Sequence, residues 1–173
     1  DTAAWITLEG SPIDYPILQG SDNQYYLSHL MTGEPNKLGS IFVDYANEKN
    51  FSDKLALLYG HNWQDDLMFA VLEQYKNQEY YDQHPAMELY TPEGVFRIEF
   101  FAGIVVDGGY ESIPTEFNGE EAFQEYVQFL KDHSTFQSET IVQGDDRVIT
   151  LCTCSYDYDN ARYALFGKLS PFH

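Results

Sequence analysis

Short apolar runs separated by turn residues dominate this chain, and they limit it to a mainly β fold. The runs are rich in β-branched and aromatic residues, which favour strands. They read WITLEG, GSIFVDY, KLALLYG, MELYTPEGVFRIEFFAGIVVD, DDRVITLCTC and ARYALFGKL. In the longest run, TPEG predicts a turn, because Pro92 fixes the bend and Gly94 tolerates a positive φ. We therefore expect a β-barrel or sandwich.

Three segments break the strand rhythm and predict helices around the sheet. One segment is DDLMFAVLEQYKNQ, which begins at residue 65 and in which Met68, Val71, Leu72 and Tyr75 recur at helical spacing. Another is NGEEAFQEYVQFLKDH, which begins at residue 118 and in which Phe123, Tyr126, Val127 and Leu130 recur in the same way. Asn118, followed three residues later by Glu121, predicts the start of the second helix. SDNQYYLSHLM predicts a third, shorter helix that begins at Ser21 or Asp22.

Length, net charge and the length of the apolar runs limit the class of protein and the partners that this chain can have. Its 173 residues hold no linker or repeat, so we expect a single domain over residues 1–173. The 28 acidic and 9 basic residues give a net charge of -19, which disfavours nucleic acid and anionic lipid as partners. A solvated acidic face explains this charge, and attraction of a basic amine is the functional alternative. No apolar run reaches the roughly 18–20 residues that span a bilayer.

The two cysteines, Cys152 and Cys154, are unsuited to pairing or to binding a metal. On a strand they point to the same face, with β-carbons roughly 6–7 Å apart. A disulfide needs a separation of about 3.8 Å. A zinc site needs two more ligands at suitable spacing, and no His-x3-5-His pair exists. We therefore expect no metal and one working thiol.

Cys154 is the better nucleophile candidate, because it lies where an apolar strand meets the polar loop SYDYDN. If the strands on either side of this loop pair as a hairpin, Arg162 returns to the neighbourhood of Cys154. A guanidinium there would stabilise a thiolate or an oxyanion. A surface ion pair of Arg162 with Asp157 or Asp159 is the alternative that spacing alone leaves open.

Thiol chemistry also needs a proton carrier, and His61 is the favoured one of five histidines. It follows the buried strand KLALLYG directly, with Gly60 before it to free the backbone and Asn62 after it. A side chain at a strand's end is well placed for a cleft. The other four histidines lie in a helix, at helix ends or in loops, or at the terminus, namely His29, His84, His133 and His173.

Together these motifs resemble the sortases. TLCTC fits the signature Thr-Leu-x-Thr-Cys, and LLYGHN fits the strand and histidine of the same transpeptidases. CSYDYDNARYALFGKL and IDYPILQGSDNQYYLSHLMTGEPNKLGSIFVDYAN are similar to class B members in particular. The resemblance covers nearly the whole chain. It implies a sortase-like eight-stranded β-barrel with peripheral helices, including one near residues 119–132 before the cysteine strand.

The resemblance also implies roles for particular residues. Cys154 would be the nucleophile, His61 the general acid and base, and Arg162 the group that stabilises the oxyanion or positions the substrate. The backbone N–H of Ser155 would complete the oxyanion hole, while Thr153, Cys152 and Asn62 would line the substrate site. Cys152 stands where relatives often carry a small hydroxyl residue. It either lines the groove or is a buried, inert thiol.

The function implied is that of a cysteine transpeptidase that needs no cofactor. It would cut a C-terminal sorting signal, with an Asn-Pro-x-Thr-like motif, and pass the acyl group to a peptidoglycan precursor amine or a pilin lysine. A monomer at the extracellular face of a Gram-positive cytoplasmic membrane is expected, held by an N-terminal anchor absent from this chain. The alternatives are a thiol hydrolase without amine transfer and a non-catalytic surface binding domain.

Overall fold

The computed structural model describes residues 1–106, 112–154 and 161–172, with only the backbone of Cys154. Within those residues eight strands close into a barrel in the order β1-β2-β3-β4-β7-β8-β6-β5, which confirms the eight-stranded, mainly β prediction. The strands are β1 Thr2–Thr7, β2 Asp14–Leu18, β3 Ile41–Val43, β4 Leu55–Tyr59, β5 Ala86–Thr91, β6 Gly94–Val106, β7 Val148–Cys154 and β8 Arg162–Pro171.

The barrel is mixed, and its parallel pairs determine where distant parts of the sequence meet. Strands β2 and β3 are parallel, as are β4 and β7. Antiparallel pairing joins the remaining neighbours. A parallel pair needs a long crossover connection, and the described residues between β4 and β7 contain one 3-10 helix, two α-helices and two strands. This crossover brings the segment after β4 beside the cysteine strand.

Alternation along the strands divides the buried residues into two clusters, one inside the barrel and one outside it. The inner cluster includes Ile149 and Leu151 of β7. Cys152, between Leu151 and Thr153, belongs to the outer cluster, as does Phe123 of α2 Gly119–Asp132. Phe123 is 1% exposed, and burying such a ring contributes about 1.5–3 kcal/mol. The helix α2 therefore covers the outer face of the strands that carry the candidate site.

The helix predicted in residues 119–132 is confirmed, and the capping prediction is confirmed only in part. Asn118 occupies the N-cap position, but its side chain makes no capping hydrogen bond. The helix is amphipathic as predicted, since Phe123, Val127 and Leu130 are buried. Tertiary packing of this apolar face, more than its cap, therefore holds α2 in place.

The other two predicted helices form as short 3-10 segments. The first is the single turn Tyr25–Leu27, begun by Asp22, whose Oδ1 accepts hydrogen bonds from the backbone N–H groups of residues 24 and 25. The second is Ala70–Lys76, and a further helix, α1 Gln78–Gln83, follows it. An α-helix from residue 65 is prevented by the positive φ angles of Asp65, Asp66 and Met68.

Strand β2 and the turn between β5 and β6 differ in how well the sequence predicts them. Strand β2 was not predicted, because Pro16 lies within it and proline argues against a strand. The turn between β5 and β6 is confirmed, and Gly94 there has a φ of 142°. Among the described residues, no helix is both long and apolar enough to cross a membrane.

Candidate active site

Strand register places the three residues of the predicted catalytic set on neighbouring strands. Tyr59 of β4 pairs in parallel with Cys152 of β7, so His61 and Cys154 each follow that pair by two residues. The backbone of Cys154 pairs with that of Arg162 at the start of β8, as the hairpin prediction requires. Adjacent strands lie about 4.8 Å apart. Cys154 therefore lies between the segment carrying His61 and the strand carrying Arg162.

His61 and Arg162 line the same surface cavity, whose volume is about 740 Å³. Leu27 and Asp44 form part of its wall on the β2–β3 side, and Ile113 lies in the segment before α2. A cavity of this size suits a short peptide segment or a small ligand. The convergence of an imidazole and a guanidinium on one cavity beside the cysteine strand identifies this region as the candidate active site.

The imidazole of His61 is held at its Nε2 atom by the backbone carbonyl of Leu27, at 2.7 Å. A carbonyl oxygen only accepts hydrogen bonds, so Nε2 must carry a proton and donate it. The backbone on either side is also fixed, because the N–H of Gly60 donates to the carbonyl of Cys152 and the N–H of Phe69 donates to the carbonyl of His61. His61 is therefore positioned by contacts from three different segments.

Gly60 precedes His61 for a different reason from the one predicted. The sequence suggested that glycine frees the backbone, but Gly60 does not have a left-handed φ. Instead, a β-carbon at this position would lie 2.5 Å from Cδ1 of Ile41 and 2.8 Å from Cδ2 of Phe69. Close packing of the strand end against these two side chains therefore requires glycine and brings His61 to the cavity.

Asp44 places a carboxylate in the cavity wall, and sequence reasoning did not select it. Its Oδ2 accepts hydrogen bonds from the Tyr59 hydroxyl at 2.6 Å and from Asn23 Nδ2 at 3.0 Å. Its Oδ1 accepts from the N–H of Ala46 at 2.9 Å. These donors are uncharged and fix the orientation of the carboxylate. Its position directly after a buried strand was the one available sequence signal.

Arg162 opens β8 and is half-buried at the opposite wall of the cavity. One guanidinium nitrogen, Nη1, donates to the carbonyl of Ala161 at 3.1 Å. The guanidinium is planar and carries five N–H donors in a fixed fork, a geometry that suits an oxyanion. The alternative partners Asp157 and Asp159 lie outside the described residues.

Cys152 and Thr153 are both 0% exposed, so neither side chain has a surface with which to contact a substrate in this structure. Burial raises the pKa of the Cys152 thiol well above its usual range, and the charge of Asp44 adds to this effect. Of the two interpretations of Cys152, the geometry matches the buried, inert thiol rather than a groove lining. In the described part of the chain, Thr153 Oγ1 has no hydrogen-bond partner.

Of the remaining predicted site residues, only Asn62 is described. Ser155 and the side chain of Cys154 lie outside the described residues. Asn62 is half-buried, and its Nδ2 donates to Oε1 of Glu73 at 3.4 Å. Among the described residues, no group of three or more histidine, cysteine or acidic side chains could hold a metal ion.

A second and larger cavity, of about 1040 Å³, lies where β1 ends beside β5 and β6. Its lining includes His84 and Arg97 together with acidic residues, but none of the predicted site residues. We assign the chemistry to the smaller cavity, because that one lies beside the cysteine strand.

The sequence of this chain is similar over nearly its whole length to those of two known proteins. Sortase B of Listeria monocytogenes is 39% identical over 171 residues, which cover 98% of this chain and 70% of the relative. Sortase B of Staphylococcus aureus is 34% identical over 171 residues, with the same coverage. No protein-family profile matches the sequence.

Solved structures give the same result for the fold. The Listeria monocytogenes sortase B structure superposes with a TM-score of 0.87 at 39% identity, over 97% of this chain and 94% of that one. A Staphylococcus aureus sortase B–substrate complex superposes with a TM-score of 0.93 at 31% identity, over 100% of this chain and 81% of that one.

Proposed function

Because this chain belongs to the sortase B family of cysteine transpeptidases, we propose that Cys154, His61 and Arg162 carry its reaction. The enzyme cleaves a C-terminal sorting signal of a secreted protein, holds the acyl part as a thioester and transfers it to an amine. We further propose that residues 1–173 form a single catalytic domain that acts as a monomer.

One observation carries the assignment of roles, which is the register of β4, β7 and β8. It supports a nucleophile flanked on one side by a proton carrier and on the other by a permanent positive charge. A thiol is a poor nucleophile until it loses its proton, and a neighbouring cation favours the thiolate. The arrangement thus supplies both requirements of thiol catalysis at one strand end.

In the acylation half of the reaction, Cys154 attacks the carbonyl carbon of the signal's threonine. Negative charge collects on the carbonyl oxygen, where Arg162 and the backbone N–H of Ser155 stabilise it. The carbon–nitrogen bond then breaks, and protonated His61 gives its proton to the departing amine. The product is a thioester between Cys154 and the threonine.

In the deacylation half, neutral His61 takes a proton from the incoming amine. The nitrogen attacks the thioester carbonyl, the carbon–sulfur bond breaks, and the thiolate of Cys154 leaves. His61 then returns its proton to the sulfur or keeps it. The equilibrium between these two protonation states in the resting enzyme is a property of Cys154 and His61 together. The net result is one peptide bond exchanged for another.

The substrates we propose are a signal of the Asn-Pro-x-Thr type and an unhindered primary amine. Solved sortase B structures include a substrate complex of the Staphylococcus aureus protein and a complex with a glycine tripeptide. They favour a glycine amine of a peptidoglycan precursor over a pilin lysine as acceptor. The site of action is the extracellular face of the cytoplasmic membrane of a Gram-positive bacterium, and the outcome is anchoring of a surface protein to the cell wall.

The experiment is a peptide-library cleavage assay with and without triglycine, analysed by mass spectrometry. We expect cleavage after threonine and, with triglycine, a new amide product in place of the free acid. Cys154→Ala should form neither product. Cleavage that yields only acid at high triglycine would indicate a thiol hydrolase and contradict the proposed amine transfer. An active Cys154→Ala variant would contradict the assigned nucleophile.

A further inference from the structure

The two nitrogens of His61 have different surroundings, and this difference identifies the one that does the chemistry. Nε2 lies 2.7 Å from the carbonyl oxygen of Leu27 and must donate its proton there. In the described part of the chain, no hydrogen bond is formed by Nδ1. A proton carrier needs one nitrogen that gains and loses a proton, and an engaged N–H is unsuited to that role.

The carbonyl of Leu27 is itself fixed by contacts that are independent of His61. Leu27 ends a 3-10 turn whose first N–H groups are capped by Asp22, with Oδ1 2.8 Å from Gln24 N and 2.9 Å from Tyr25 N. These bonds lower the pKa of Asp22, so the cap stays ionised at neutral pH. On the far side of the turn, the N–H of Ser40 donates to the carbonyl of Tyr26 at 2.8 Å. The position of the Leu27 carbonyl oxygen therefore does not depend on His61.

We propose that the Leu27 carbonyl locks His61 with its proton on Nε2, so that Nδ1 is the atom that exchanges protons during the reaction. Leu27 is then a positioning residue that acts through its backbone. This inference rests on the proposed function for its chemical meaning, since it assigns the general acid and base to a single atom.

The lock has a chemical consequence in each half of the reaction. In acylation, the imidazolium gives the proton on Nδ1 to the departing amine, and the ring becomes neutral with Nε2–H intact. In deacylation, Nδ1 accepts one proton from the incoming amine, which gives an imidazolium whose Nε2–H still donates to Leu27. No proton moves from one ring nitrogen to the other, and the hydrogen bond from Nε2 to Leu27 persists through both steps. A peptide carbonyl thereby does what a carboxylate does in other catalytic triads, which is to select the tautomer.

The direct test is nitrogen NMR of His61 in the intact chain labelled at histidine nitrogen. At a pH where the ring is neutral, we expect a protonated Nε2 and an unprotonated Nδ1. A neutral ring protonated at Nδ1 would overturn the proposal. This measurement needs no substrate, so it stays informative even if the proposed transpeptidase activity fails.

A second test replaces His61 by histidine methylated at one nitrogen or the other. Methylation at Nδ1 should abolish cleavage of the sorting-signal peptide, because the working nitrogen can no longer exchange a proton. Methylation at Nε2 removes the bond to Leu27 but leaves Nδ1 available, so some activity should remain. Equal loss of activity in the two proteins, or greater activity of the one methylated at Nδ1, would contradict the assignment.

Substitution of the cap supplies a third test that leaves the cavity lining unchanged. Asp22→Ala removes the acceptor that begins the turn, and we expect kcat to fall about fivefold with little change in KM. Asp22→Asn retains the Oδ1 acceptor and should restore most of the rate. The NMR signal of His61 in Asp22→Ala should show a mixture of tautomers. An Asp22→Ala protein with a pure Nε2–H tautomer and a lowered kcat would contradict positioning by the turn.

Discussion

The larger and the smaller cavity each contain one histidine and one arginine, but of these two only the smaller lies beside the cysteine strand in the described part of the chain. In the larger cavity, His84 stacks on Tyr80 with ring centroids 4.2 Å apart, and its Nδ1 donates to the Tyr80 carbonyl at 3.2 Å. Arg97 lies over the ring of Phe172 at 5.5 Å. In the smaller cavity, His61 and Arg162 lie on either side of the segment that carries Cys154.

The difference shows that residue types alone do not define a site. His84 caps the end of α1, where its ring completes a local hydrogen bond. His61 instead follows a buried strand and is held by a carbonyl 34 residues away in sequence. Contacts across the fold, rather than neighbours in sequence, fix the direction of the His61 ring.

Removal of each histidine in turn should produce the largest difference between the two cavities. His61→Ala should lower kcat/KM for a sorting-signal peptide by about 10²–10⁴-fold, which is the usual contribution of a general acid and base. His84→Ala should stay within about twofold of the wild type, because no cysteine is among the described residues that line its cavity. Steady-state cleavage assays on both variants provide the measurement, and comparable losses would contradict the assignment of the smaller cavity.

The arginines give a second and smaller contrast. Arg162→Lys should lower kcat by about 10²-fold, because a point charge does not reproduce the planar fork that meets an oxyanion. Arg97→Lys is the matched control, since it makes the same change in the other cavity, and it should leave kcat unchanged. If Arg162→Lys kept its kcat and changed only KM, the residue would bind substrate without stabilising the oxyanion.

The two cysteines provide a third contrast, between a buried position and a strand end. Cys152→Ser should retain most of the activity, because the native thiol is fully buried and its raised pKa keeps it protonated. It should cost about 1–3 kcal/mol of unfolding free energy, since a buried hydroxyl needs a partner. Iodoacetamide labelling near pH 8, read by peptide mass spectrometry, should modify Cys154 alone. Loss of activity comparable to that of Cys154→Ala would contradict the choice of nucleophile.

Alkaline pH should produce the smallest effect, and it acts on titratable groups buried in the two clusters of the barrel. Burial raises the pKa of Cys152 and also those of Tyr75 and Tyr163. Each group thus holds its proton more tightly when folded. Their contribution is complete below the unfolded values of about 8.5 for cysteine and 10 for tyrosine, and it is lost as pH rises through the higher folded values.

Thermal unfolding between pH 7 and 11 measures this linkage. The wild type should lose stability progressively above about pH 8.5–9. Cys152→Ser should show a shallower decline in that first interval, because one of the titrating groups is gone. His84→Ala should keep the wild-type slope. An unchanged slope in Cys152→Ser would mean that the thiol does not resist ionisation as described.

Much of the fold was accessible from the sequence, because strand alternation and the helical spacing of α2 are local signals. The failures have specific physical causes. Strand β2 contains Pro16, which argues against a strand pattern; Pro16 lies opposite Trp5 of β1, and the parallel pairing with β3 begins only at Ile17. The helix expected from residue 65 begins later, because left-handed residues precede it. Neither the parallel partner nor the φ angles can be read from residue types.

Some features of the candidate site could be predicted from the sequence, and others could not. A strand-end cysteine, a strand-end histidine and an arginine beyond a loop were visible as residue types, and the pairing of Cys154 with Arg162 is confirmed. The hydrogen bond from His61 to Leu27 was not predictable, since a backbone carbonyl carries no sequence signature. The reason for Gly60 was also hidden, because it depends on the side chains of Ile41 and Phe69 packed across the barrel.

The central claim is that a thioester forms on Cys154 beside His61 and Arg162, and intact-protein mass spectrometry during turnover tests it most directly. With a sorting-signal peptide and no added amine, the wild type should gain the mass of the acyl fragment. Proteolytic mapping should locate that mass on Cys154, and triglycine should discharge it as an amide. An adduct on Cys152, or cleavage with no covalent intermediate at any time, would contradict the account.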